Sequence, residues 1–208
     1  MNDGYWSYIL LVVMTVLLSS GWRSSVVKGI TSLEVLSFIA VWYIGLFSAI
    51  PLGSTVSVQG IYLALLLTLV RFMLKEPIAT VSYFIITGCL LGLIVFFVQE
   101  MYRLDPILIV FQKEIDAALI IGVLAWLVTR QALPQAAVLS LAYIIQDVLP
   151  LLSKPSDQML YLGDAVLQDG WWISYVCARV LTLTGESIVW MLQFVQRRLP
   201  RRLKGIRK

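Results

Sequence analysis

From Ile78 to Val98 the chain runs for twenty-one residues without a charged side chain. A helix needs about 20 apolar residues to cross the hydrocarbon core of a bilayer, so this one stretch already meets the length of a span. Six further apolar stretches approach it. They run from about Gly4 to Ser20, Leu33 to Ile50, Val56 to Leu74, Ala132 to Leu152 and Trp171 to Val195, with one more that ends at Thr129 and begins between Pro106 and Ile115. Of the 208 residues 60% are hydrophobic and 13% charged, about half the charge of a soluble domain. A chain this short cannot hide that much apolar surface in a single water-soluble core. The expected fold is all-α: a polytopic transmembrane helix bundle of about seven spans in residues 1–195, followed by a basic tail in 196–208.

Local signals mark the limits of these spans. Thr31-Ser32-Leu33-Glu34 has the form of a capping box at the start of the second. Pro77, Pro106 and Pro134 stand where helices should begin, and Pro51, Pro150 and Pro155 where they should end. The first residues carry no positive n-region, since Arg23 follows the first apolar run; a retained first span is expected instead of a signal peptide.

Charge then orients the bundle. With the N-terminus outside, twelve of the sixteen Lys and Arg fall on one face, including Arg23, Lys28, Arg71, Lys75, Arg130 and the tail. The positive-inside rule makes that face cytoplasmic. Acids gather on the other: Asp3, Glu100, Asp105, Glu114, Asp116, Asp157, Asp164 and Asp169. Localisation in the cell membrane with an extracytoplasmic N-terminus and a cytoplasmic C-terminus follows. Lys113-Glu114-Ile115-Asp116 interrupts the fifth span, so Pro106 to Gln112 is expected to stand in the outer interface as a helical extension. In the outer loop near 153–170, Met159, Leu162 and Val166 recur at helical spacing with Leu160 and Leu167. An amphipathic helix on the outer surface is expected there, with Trp171 and Trp172 at headgroup depth.

Several chemistries are removed by composition. The chain has no histidine, which excludes His-dependent triads and zinc motifs. Cys89 and Cys177 lie within apolar runs and read as small buried hydrophobes. Asp169-Gly170 followed by Ala178-Arg179 has the residues of a D-G-x-x-A-R phosphatidyltransferase motif at the wrong spacing, without the downstream aspartates. No cofactor, metal or catalytic constellation is expected. The tail residues Arg197, Arg198, Arg201, Arg202 and Lys204 lack aromatic neighbours for base stacking; anionic lipid headgroups are their expected partner, not nucleic acid.

Three ionisable residues fall inside spans: Asp147, Arg179 and Glu186. Intramembrane charge is a functional-site hypothesis by default. Counted at about 1.5 Å per residue, Asp147 and Arg179 lie at similar depths, ~7 and ~12 Å below the outer surface, where they could pair across adjacent helices. Glu186 lies ~22 Å below Trp171 on the same helical face as Arg179, among Thr182, Thr184, Gly185 and Ser187. It is expected either to hydrogen-bond a neighbouring helix or to couple a proton or cation. Gly88-Cys89-Leu90-Leu91-Gly92 is a G-x-x-x-G pattern, so Gly88 and Gly92 should bring a second helix or a second copy close. Ala118 with Gly122 and Ala136 with Ser140 repeat the small-residue spacing.

The opening Tyr5-Trp6 to Gly21-Trp22-Arg23, the seven-span layout without loop domains and the basic tail resemble the YphA-type membrane proteins of spore-forming Gram-positive bacteria. The resemblance implies a bacterial multi-pass cell-membrane protein and no site residues. The expected function is a non-enzymatic scaffold or binder of a protein partner, with a homo-oligomer as one form of it. The alternative is a small-solute or ion transporter, or its substrate-binding subunit, using a buried carboxylate.

Overall fold

The computed structural model describes residues 3–51, 56–152 and 160–205. Among these, seven helices reach 15 residues or more: α1 (Tyr5–Ser19), α3 (Ser32–Leu46), α4 (Ile61–Lys75), α5 (Ile78–Leu104), α6 (Lys113–Val128), α7 (Ala132–Val148) and α8 (Ala165–Gly205). A single turn, α2 (Arg23–Val26), sits between α1 and α3. Two helices are long and apolar enough to cross a membrane, Ile78–Leu104 and Ala165–Gln196; Tyr5–Ser19, Ser32–Leu46 and Ala132–Val148 are apolar but shorter.

The chain is not purely helical. Strands β1 (Ala49–Pro51), β2 (Val56–Gln59) and β3 (Leu160–Leu162) form a small sheet in that order. The first pair is antiparallel, with Ala49 opposite Gln59, and the second parallel, with Val58 opposite Leu162. The fold is helical as expected, and the small sheet takes residues from the ends of the expected spans. The second apolar stretch leaves its helix at Leu46 and the third enters one only at Ile61. Their β-branched flanks, Ile50, Val56 and Val58, pair as strands instead. The outer loop near 153–170 is likewise not a separate surface helix where it is described: Leu160–Leu162 is strand, and α8 starts at Ala165 and continues inward. Met159 lies outside the described residues. Nor is Pro106 to Gln112 a helical extension, for only Pro106–Leu108 forms a 3-10 turn.

The capping box forms as expected: Thr31 Oγ1 accepts from the Glu34 N–H, and the Glu34 carboxylate from the Thr31 N–H. Helix α1 has no such device in its own sequence. Its first donors are met from the far end of the chain, where the Asp169 carboxylate accepts the Gly4 N–H at 2.9 Å and the Ser7 N–H at 2.6 Å. A side chain of α8 thus supplies the acceptor that an N-cap residue would offer.

The helices pack in pairs, α5 on α7, α6 on α8 and α3 on α4. Gly88 and Gly92 explain the first. A Cβ on Gly88 would stand 2.8 Å from the Leu141 side chain, and one on Gly92 2.7 Å from the Ala142 carbonyl, so α5 lies against α7 at backbone contact. Gly122 does the same for α6, facing Ser174 and Cys177 of α8. At the centre, Trp42 of α3 meets Trp171 of α8 with ring centroids 5.1 Å apart; Trp172 is edge-on to Trp171 at 5.1 Å, and Tyr175 stacks on it at 5.3 Å. Trp171 and Trp172 are 1% and 2% exposed, so they are core residues and not headgroup anchors. Each such aromatic pair adds about 0.5–1.5 kcal/mol beyond its burial.

The Gly92 contact leaves no room for a side chain. Gly92→Leu is expected to lower the unfolding midpoint in detergent, with a cost of about 1–3 kcal/mol or more from overpacking. Gly185→Leu, where a Cβ meets nothing within 4 Å, should leave it within about 0.5 kcal/mol. Equal effects of the two would contradict the packing of α5 on α7.

Candidate functional site

Arg179 is buried at 4% exposure, and its guanidinium draws three segments together. Nε donates to the Val26 carbonyl at 2.8 Å, and Nη1 to the Arg130 carbonyl at 3.1 Å and to Gln135 Oε1 at 3.2 Å. Val26 closes α2, and Arg130 stands two residues past the end of α6. Carbonyls at helix C-termini lack intrahelical donors and carry partial negative charge, so a cation there is satisfied without a carboxylate. Gln135, fully buried, completes the arrangement: its Nε2 donates to the Thr129 carbonyl at 2.7 Å and to Thr182 Oγ1 at 3.0 Å.

The expected Asp147–Arg179 ion pair does not form. Asp147 lies in the last turn of α7, where its Oδ2 accepts from the Tyr62 hydroxyl and from the Gly163 N–H, both at 2.7 Å. Twelve residues of helix separate Gln135, beside Arg179, from Asp147, which is about 18 Å. The depths inferred from sequence fail because α8 begins at Ala165, so Trp171 is a turn and a half inside the helix and not at its mouth.

Glu186 is not in the interior. The side of α8 that faces the bundle is buried from Leu167 through Thr182, but from Glu186 to Gln196 every residue is exposed. Glu186 shares a stripe with Arg179, yet the neighbouring helices end before reaching it. Among the described residues it makes no salt bridge. The basic tail continues the helix in its backbone to Gly205, while the side chains of Arg197, Arg198, Arg201, Arg202 and Lys204 lie outside the described residues.

Four acids assigned to the outer face turn out to work on backbone N–H groups, Asp105 among them through the Ile107 N–H at 3.2 Å. Besides Asp169, Asp116 is 8% exposed and its Oδ2 accepts the Val110 N–H at 2.7 Å and the Phe111 N–H at 3.1 Å. Asp164 accepts the Leu167 N–H at 2.9 Å and so caps α8. Burial pushes the Asp164 carboxyl above its ordinary range, against the opposing pull of that hydrogen bond. Sequence reasoning missed these roles. The available signal was that Gly4-Tyr5 opens a helix without a cap of its own, so an acceptor had to come from elsewhere.

A second network crosses the middle of the bundle. Ser174 Oγ donates to the Ala118 carbonyl at 2.8 Å, so the Tyr143 hydroxyl donates to it at 2.7 Å; the Trp171 indole donates to Ser140 Oγ at 3.2 Å. Helices α6, α7 and α8 are joined by these bonds. The chemistry open to Arg179, Gln135, Ser140, Ser174 and Asp147 is therefore that of fixing helices against one another. No family model, curated protein or solved structure matches the chain.

Arg179→Met keeps most of the side-chain volume but leaves the Val26 and Arg130 carbonyls without their donor. Denaturation followed by tryptophan fluorescence should show a loss of roughly 2–4 kcal/mol, from charge-assisted bonds and stranded acceptors. Glu186→Gln should unfold like the parent. An Arg179→Met protein as stable as the parent would contradict the role given to the guanidinium.

Proposed function

We propose that this chain is a multi-span membrane protein, N-terminus outside and C-terminus in the cytosol, that acts by holding a partner chain and not by catalysis. The observation that carries the reading is the far half of α8. Arg179 fixes the helix level with Val26 and Arg130, and the helix then runs on past its neighbours. Residues 184–196 extend about 20 Å, with Ile188, Val189, Trp190, Met191, Leu192, Phe194 and Val195 all exposed. Trp190 and Phe194 stack at 5.6 Å into an aromatic ridge. An apolar surface of this kind on an end of a bundle fits a docking element for another helix.

Membrane integration is supported by the two long apolar helices and by how side-chain contacts sort the helix ends. Arg179 draws together α2, the α6–α7 link and α8, while Lys75 joins the end of α4 to the start of α3. These are the segments rich in Lys and Arg. At the opposite ends Asp169 meets α1, Asp147 meets Tyr62, and Gln146 meets Gln99. Seven crossings would put twelve of the sixteen Lys and Arg on one side, in keeping with the positive-inside rule. Membership of the YphA-type group belongs to the same proposal, on the residues that suggested it. Transport through Glu186 has less support, since that carboxylate stands outside the bundle.

Trp190→Ser with Phe194→Ser is the test. Both residues are exposed in the single chain, and stability should change by no more than about 0.5 kcal/mol per site. Native electrophoresis of gently solubilised membranes should show the parent in a complex larger than one chain and the double variant reduced to the single chain. A parent that migrates alone, or a variant that keeps the complex, would overturn the partner-binding reading.

A further inference from the structure

Between α1, α3, α4, α7 and α8 lies an open cleft with about 670 Å³ of empty space, its mouth included. Its depth is aromatic and aliphatic, with Met14, Phe38, Trp172 and Tyr175 among its walls, while Glu34 and Arg71 stand on it as the charged members. We propose that the cleft holds one anionic phospholipid, with an acyl chain against the aromatic wall and the phosphate on Arg71; this site rests on the membrane reading above.

The charges at the rim select the sign of the headgroup. Glu34 is already committed: Lys75 Nζ lies 2.8 Å from its Oε1 and 2.9 Å from its Oε2, and the Thr31 N–H donates to it as well. Arg71 approaches the same carboxylate only to 3.8 Å, beyond hydrogen-bonding distance, with its side chain 41% exposed. Two cations thus face one anion, and the guanidinium, which can bind a phosphate through two parallel N–H bonds, is the less engaged of the pair. A zwitterionic headgroup would bring its own cation to a rim that is already positive.

An apolar wall and a rim whose guanidinium is only partly engaged together call for an amphiphile with an anionic head.

Native mass spectrometry of the full chain with added phosphatidylglycerol or phosphatidylcholine tests this. To separate the cleft from the basic tail, Arg71→Gln is compared with a tail variant in which Arg197, Arg198, Arg201, Arg202 and Lys204 are Gln. The expected result is one tightly held phosphatidylglycerol, preferred over phosphatidylcholine. That preference should fall about tenfold in Arg71→Gln, the scale of one charge-assisted bond, and persist in the tail variant. Ser37→Phe, which fills the cleft from α3, should exclude the lipid at unchanged helical content by circular dichroism. Equal binding of the two lipids, or a preference lost only with the tail, would overturn the site. Release of the chain from membranes by alkaline carbonate would instead sink the membrane reading on which it rests.

Discussion

The guanidinium of Arg179 sets the register of the whole bundle. It reaches α2 through Val26, the α6–α7 link through Arg130 and α7 through Gln135, and in doing so fixes how far α8 slides along its neighbours. A charge in a low-dielectric interior is tolerated only when its hydrogen bonds are met. Here they are met by carbonyls that helix ends leave unclaimed, so the cation and the helix termini solve each other's problem. With α8 held there, Trp171 and Trp172 fall opposite Phe38 and Trp42, Ser174 reaches Ala118, and Asp169 arrives beneath the first turn of α1. From Glu186 to Gln196 every residue of α8 is left exposed.

That arrangement divides α8 into two halves of different character. The first is a core element, packed on α6, α1 and α7. The second is as apolar but exposed from Glu186 to Gln196, and Glu186 marks the change. The same physics divides the polar groups between the two ends of the bundle. Acids cap exposed N–H groups at one end, through Asp169, Asp116 and Asp164; cations and a capping box hold the other, through Arg179, Lys75 and Glu34. A bilayer demands this kind of satisfaction, since lipid supplies no hydrogen bonds to loose backbone ends.

Much of the helical layout was legible from apolar run length and capping residues. Ile78 to Val98 lies within α5, Thr31 and Glu34 form their box, and Gly88 and Gly92 mark a close approach. These are local signals, set by residues within a turn or two of each other. What could not be read was which polar side chain meets which distant backbone group. Asp169 and Gly4 are 165 residues apart, Arg179 and Val26 are 153, and no periodicity reports such a pairing. The strands were missed because Ile50 and Val56–Val58 extend apolar runs that continue as helix. Glu186 was expected against a neighbouring helix because its spacing put it on the Arg179 stripe, and spacing does not report where the neighbouring helices stop.

The two ends of the bundle should lie on opposite sides of a membrane, and single-cysteine labelling in intact cells measures that directly. With Cys89 and Cys177 replaced by Ala, a cysteine at Ile107, exposed between α5 and α6, should react with an impermeant maleimide added outside. A cysteine at Lys28, exposed beside the Arg179 cluster, should react only after the membrane is permeabilised. Labelling of both from the same side, or the reverse order, would contradict the account.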